Sequence, residues 1–158
     1  MFRRVFLVVA IAIALPASAH AATTSQGSNG ATITIAQKIL ANNSRVVVMG
    51  KNFDETVGIY LAFCVVPKSG QAPTPCGGGV NKSGMGEASY WISSNPPPYG
   101  IGLAIPFTAG GRFSEVVQVT RKVGKFDCKK VKCAITVRSD HLHEGDRSHD
   151  IYIPITIK

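Results

Sequence analysis

The sequence predicts an all-β, immunoglobulin-like antiparallel β-sandwich of about seven strands. Three observations carry this. Short apolar runs alternate with a period of two residues. Gly, Pro, Asn and Ser clusters separate them at strand-length intervals. No segment repeats its apolar residues with helical period.

Taken in order, Thr32-Ile33-Thr34-Ile35 alternates and opens the series. Arg45-Val46-Val47-Val48-Met49 is β-branched and stops at Gly50. Gly58 to Val66 is rich in apolar and aromatic residues and suits a central strand. Glu87 to Ile92 is a further strand, and Gly102 to Phe107 a short edge segment, because Pro106 has no N–H for a ladder. Arg112 to Val119 places Phe113, Val117 and Val119 on one face. Val131 to Arg138 does the same with Cys133, Ile135 and Val137. Ile151, Ile153, Ile155 and Ile157 form the apolar side of a last strand, with Pro154 on the other. There is neither an internal repeat nor a domain linker.

The N-terminus reads as an export signal. Arg3 and Arg4 precede an apolar run from Val5 to Leu15, and Ala19-His20-Ala21 supplies the small residues of a cleavage site. Cleavage after Ala21 is expected, by either the general or the twin-arginine route. The apolar run is short for a membrane span, and no later segment is longer. Residues 1–21 are thus read as a signal peptide, 22–30 as a flexible leader of Ser, Thr, Gly and Gln, and 31–158 as one domain. A secreted monomer is expected.

Four cysteines, Cys64, Cys76, Cys128 and Cys133, lie in the exported part, which reads as two disulfides. Three pairings are open, and two local loops are the simplest. Zinc binding would call for paired C-x-x-C spacing, which is absent.

Removing Arg3 and Arg4 with the signal takes the formal charge from +8 to +6. The surplus is concentrated: Arg121, Lys122, Lys125, Lys129, Lys130 and Lys132 fall within twelve residues, opposed by Asp127. Such a patch either attracts an anionic partner or keeps a hairpin solvated. Export argues against nucleic acid as that partner.

No catalytic constellation is present. There is no Gly-x-Ser-x-Gly elbow, and paired cysteines are not nucleophiles. No enzymatic activity and no cofactor are expected. Asp140 to Asp150 is the polar cluster. His141 and His143 would share a face if the preceding strand continued, which would suit a metal or haem; a solvated loop is the alternative. Tyr90, Trp91, Tyr99 and Phe107 surround Pro96-Pro97-Pro98, a stiff extended segment. They would either line a ligand groove or dock a partner, or Trp91 would cap the core. Asn42-Asn43-Ser44 and Asn81-Lys82-Ser83 match the short glycosylation sequon.

Gly58-Ile59-Tyr60-Leu61-Ala62-Phe63-Cys64 enters a long cysteine loop. Asp127-Cys128-Lys129-Lys130-Val131-Lys132-Cys133-Ala134-Ile135 is a tight cysteine loop followed by a strand. In order and spacing, residues 30 to 158 resemble the neocarzinostatin family of actinomycete apoproteins. The resemblance implies an immunoglobulin-like sandwich with bonds Cys64–Cys76 and Cys128–Cys133. It also implies a cleft for a small apolar ligand, which the antibiotic members use for an enediyne chromophore. The chain departs from them in its basic charge, its Pro/Gly-rich loop from Pro67 to Gly79 and the element from Trp91 to Gly102. The stretch Trp91-Ile92-Ser93-Ser94-Asn95-Pro96-Pro97-Pro98-Tyr99 is similar to stretches in exported actinobacterial proteins, some beside haem-transport-associated domains. Since one fold serves many functions, three readings follow: a carrier of a small apolar ligand, a cell-envelope or host-surface interaction protein, and a haem or metal scavenger. A roomy cleft lined by Trp91 and Phe107 would favour the first. A filled core with an exposed aromatic-proline loop would favour the second. Clustered histidines beside a flat space would favour the third.

Overall fold

A computed structural model of the chain describes residues 21–77 and 89–158. The proposed signal peptide up to His20, the second sequon and residues Glu87 and Ala88 of an expected strand lie outside the described residues. The described chain forms eleven strands: β1 Thr23–Gln26, β2 Thr32–Ile35, β3 Ile39–Leu40, β4 Ser44–Lys51, β5 Ile59–Val65, β6 Ser89–Ile92, β7 Phe113–Val119, β8 Lys122–Val123, β9 Phe126–Asp127, β10 Cys133–Ser139 and β11 Ile151–Ile157. The helical element among the described residues is one 3-10 turn, Pro98–Gly100. No helix among them is long and apolar enough to cross a membrane.

Two sheets make the sandwich, one ordered β1-β2-β4-β7 and the other β3-β11-β10-β5-β6, with β8 and β9 as a separate ribbon. All pairs are antiparallel except β3 with β11. The period-two patterns decide which side chains face inward. Val46, Val48 and Val117 from one sheet meet Leu61, Ile135 and Ile153 from the other in one buried core. Pro154 is exposed on the outer side of β11, where no inward packing is lost. Gly50, opposite Phe113, is required by packing, because a Cβ there would collide with the Phe113 ring. Both bonds form as the resemblance implied, Cys64–Cys76 and Cys128–Cys133. By chain-entropy reasoning they stabilise the domain by about 3 and about 2 kcal/mol.

Two expectations change. Residues 22–30 are not a leader without structure, since Thr23–Gln26 pairs antiparallel with Thr32–Ile35. No apolar period marks this strand because its side chains are polar on both faces. The Thr24 and Thr34 hydroxyls bond across the pair at 2.8 Å. The segment from Gly102 to Phe107 does not form a strand. It touches the sheet at one bridge, Ile105 with Ile92, which follows a turn over residues 101–103.

Candidate functional site

The outer face of the five-stranded sheet carries the main polar and aromatic cluster. Pairing of β5 with β6 sets Tyr60 opposite Trp91, and pairing of β5 with β10 sets Arg138 opposite Tyr60. Alternation sends Tyr90 and Ile92 inward, leaving Tyr60 and Trp91 on the outside. The Arg138 guanidinium lies over the Tyr60 ring, 5.3 Å from its centroid. Burial pushes the Tyr60 hydroxyl above its ordinary range, with the Asp140 carboxylate adding to the effect.

Strand β10 ends at Ser139, and Asp140 turns the chain. Its N–H donates to Gly58 O at 2.9 Å. Its carboxylate is fully buried. Oδ2 accepts from Trp91 Nε1 at 3.0 Å and Oδ1 from the Leu142 N–H at 3.0 Å. Gly58 makes this possible, because a Cβ there would collide with the Asp140 carboxylate. A buried carboxylate is tolerated when donors meet its oxygens.

The turn delivers His141 between two tyrosines. Its Nδ1 lies 2.6 Å from the Tyr60 hydroxyl and its Nε2 lies 2.7 Å from the Tyr99 hydroxyl. A neutral imidazole satisfies both by accepting from one tyrosine and donating to the other. The ring also stands edge-on to Trp91, with centroids 4.9 Å apart. Tyr99 is presented by the 3-10 turn, whose Gly100 N–H donates to Pro97 O at 2.7 Å. Gly100 packs against the Trp91 indole, where a Cβ would collide with the ring. The tip of the loop stays open to solvent: Tyr99 is 60% and Ile101 74% exposed.

The four aromatics expected to act together therefore separate. Trp91 and Tyr99 share the outer cluster. Trp91 is 4% exposed and supports the loop rather than lining a groove. Tyr90 turns inward and donates from its hydroxyl to Val116 O at 2.8 Å. Phe107 is buried and stacks on Phe53 with centroids 5.9 Å apart. Tyr60 joins the cluster instead. Its signal was available in the period of Gly58 to Val66, where Tyr60 falls on the face opposite Ile59, Leu61 and Phe63.

His141 and His143 do not share a strand face, because the strand stops before them and Asp140 O accepts the His143 N–H at 3.1 Å. Both ring nitrogens of His141 are already engaged by tyrosines. His143 Nδ1 instead approaches Asp140 Oδ1 at 3.3 Å. Among the described residues no three His, Cys, Asp or Glu side chains gather as a metal site would need.

The basic segment folds as the β8–β9 hairpin and the tight disulfide loop. Arg121 grips Asp127 with two nitrogens at 2.7–3.1 Å. Lys122 Nζ stands 3.7 Å from the same carboxylate. The Arg121 hydrogen bond, aided by the Lys129 N–H, holds the Asp127 carboxyl far below the usual carboxylate range. Lys125 reaches over the Phe126 ring at 5.7 Å. Lys129, Lys130 and Lys132 are exposed. A cleft of 510 Å³ lies between Lys129, Lys132 and the end of β11. Another, of 430 Å³, is lined by Met49, Ile105, Pro106, Arg112, Phe113 and Glu115. Neither includes Trp91 or Tyr99.

A two-sheet sandwich with one long and one tight cysteine loop is the architecture of neocarzinostatin-like apoproteins, and the chain resembles that family in fold. The solved structure of macromomycin matches with a TM-score of 0.51 and 16% identity, over 82% of this chain and 100% of that one. No protein-family model and no curated protein matches the chain.

Proposed function

We propose that the protein is an exported, non-enzymatic binding module that docks a cell-surface partner through the proline-stiffened loop carrying Tyr99 and Ile101. One observation carries this reading. Tyr99 is bonded to His141 and stacked near Trp91, yet most of its surface is open, beside an exposed Ile101. An apolar tip held in place before contact loses little freedom on binding. The burial of Trp91 and Phe107 in separate places supports a surface partner over a cleft between them. The exposed lysines of the disulfide loop act as an attractor for an anionic surface. Two disulfides are consistent with an oxidising destination.

The test is saturable binding of the fluorescently labelled mature protein to intact cells of the producing species. The double variant Tyr99→Ala/Ile101→Ser is expected to lose at least about tenfold in apparent affinity while its far-ultraviolet circular dichroism stays that of the folded wild type. Unchanged binding would remove the loop from the function.

A second reading has its own support. The cleft of 430 Å³ beside Met49, Ile105, Pro106 and Phe113 is of the size that takes small apolar molecules. Native mass spectrometry of the secreted protein tests it, because a retained ligand adds mass that Met49→Asp should abolish.

A further inference from the structure

The ladder between β10 and β11 ends at Cys133 opposite Ile155. Beyond that pair the two chains part. β11 runs on beside β3, where Thr156 N–H donates to Lys38 O and Lys158 N–H to Leu40 O, both at 2.9 Å. The other chain turns away into the tight loop closed by Cys128–Cys133. The cleft of 510 Å³ lies at this fork. Backbone bonds fix its walls. In the loop, Asp127 O accepts the Lys130 N–H at 2.7 Å and the Val131 N–H at 3.0 Å, and Lys132 O accepts the Val66 N–H at 2.9 Å. The cleft is therefore formed before any ligand arrives, and its volume falls in the range of small-molecule sites.

Its lining has two kinds of surface. Val131 from the loop and Pro154 and Ile155 from β11 make apolar walls. Val131 is half-buried and Pro154 exposed, so both can be covered by a ligand. Lys129 and Lys132, three positions apart on the loop, line the same cleft and are exposed. Neither forms an ion pair among the described residues. Asp127, the carboxylate next to them in sequence, is held by Arg121 at 2.7 Å, with Lys122 at 3.7 Å. No Asp or Glu is among the described residues that line the cleft. Lys125 and Lys130, from the same basic segment, lie outside it. The two cleft lysines thus differ from the rest of the patch in having apolar walls beside them.

We infer that this cleft binds an amphiphilic monocarboxylate of the medium-chain fatty-acid class, its carboxylate at Lys129 and Lys132 and its alkyl chain along Val131 and Pro154. Each half of such a ligand answers one part of the lining. The chain removes apolar wall from water. The water it displaces lowers the local dielectric and strengthens the attraction between carboxylate and ammonium groups. A fully polar polyanion would use Lys125 and Lys130 as readily and leave the apolar walls wet. A neutral apolar molecule would leave both charges unanswered. The site is separate from Tyr99 and Ile101 and from the cleft beside Met49, so it stands or falls independently of both.

The test is titration of the isotope-labelled, disulfide-intact protein with decanoate, kept below micelle formation and followed by two-dimensional NMR. Acetate, decanol and decyltrimethylammonium are titrated alongside, and phosphatidylglycerol vesicles are offered separately. Saturable shifts of the amides of residues 128–133 and 155–158 are expected with decanoate, with each soluble comparison compound at least about tenfold weaker. Lys129→Ala/Lys132→Ala should weaken decanoate binding at least about tenfold, and Val131→Ser about threefold or more. Lys130→Ala removes the same charge outside the cleft and should stay within about twofold of wild type. The three lysines are exposed, so these replacements keep the test open even where Val131→Ser disturbs folding. No saturation by decanoate, equal binding of acetate or of decanol, or unchanged affinity in the double lysine variant would each overturn the proposal. So would binding to the vesicles without binding of soluble decanoate, which would make the patch a membrane attractor only.

Discussion

Trp91 Nε1 donates to Asp140 Oδ2 at 3.0 Å, and the pair is closed off from solvent: Trp91 is 4% exposed and Asp140 0%. The bond spans 49 residues and ties the proline loop's strand to the turn that carries His141. Trp91→Phe keeps much of the ring but leaves a buried carboxylate oxygen without its donor. Such a loss costs about 1–3 kcal/mol. Urea unfolding should show a lower midpoint at unchanged slope. A midpoint equal to wild type would mean that Oδ2 finds another donor.

Gly100 is the second support of the loop. Its φ is unremarkable, so the requirement is space: a Cβ would strike the Trp91 indole and crowd Pro96. Gly100→Ala should cost about 1–3 kcal/mol through overpacking. It should also alter the near-ultraviolet circular dichroism of Trp91 and Tyr99 while the far-ultraviolet spectrum stays that of a β protein. Wild-type spectra in both ranges would refute the close packing.

The strands that pack the core were legible because each has an apolar face, as with Ile33 and Ile35 or the four isoleucines of β11. Strand β1 was not, because Thr-Thr-Ser-Gln buries little and owes its conformation to a neighbour. The β8–β9 ribbon is built of two-residue strands, too short for any period. At the candidate site, Tyr60 was readable from alternation alone. Its bond to His141 was not, since the partners lie 81 residues apart and meet only once β5, β10 and the Asp140 turn are in place. Trp91 was left open between groove residue and core cap, because nothing local announces a buried carboxylate waiting for its N–H. The cysteine count left three pairings; two local loops were the simplest, and the family order pointed to the same two bonds, which form.

Asp127 gives a pH prediction whose sign follows from its lowered carboxyl. A group depressed in the folded state stabilises fully above its unfolded value, about 3.9 for Asp, and loses that contribution as pH falls toward the folded value. Wild type should therefore exceed Asp127→Asn in stability by a constant margin from neutral pH to about pH 5. The margin should shrink steadily below about pH 4. Chemical unfolding of both proteins across this range checks it. A margin that grows on acidification would show that the Arg121 grip does not favour the ionised carboxylate.

The last prediction separates anchor from attractor. Tyr99 and Ile101 sit on a pre-ordered loop, whereas Lys129 and Lys130 are exposed on the tight disulfide turn. Exposed charges act over about a Debye length and are screened by salt, so they change how often partners meet. Apolar and aromatic contacts persist once made and govern how long they stay. Tyr99→Ala should raise the dissociation rate from cells or isolated envelope by about tenfold or more and leave association within about twofold. Lys129→Glu/Lys130→Glu should slow association severalfold at low salt, flatten its salt dependence and leave dissociation alone. Surface-based kinetics at two salt concentrations reads all four quantities, with melting curves to expose a folding defect. Trp91 is excluded as a probe because its replacement disturbs the loop from beneath. If Tyr99→Ala binds as wild type while the lysine reversal abolishes binding at both salts, adhesion is electrostatic and the aromatic loop serves stability alone.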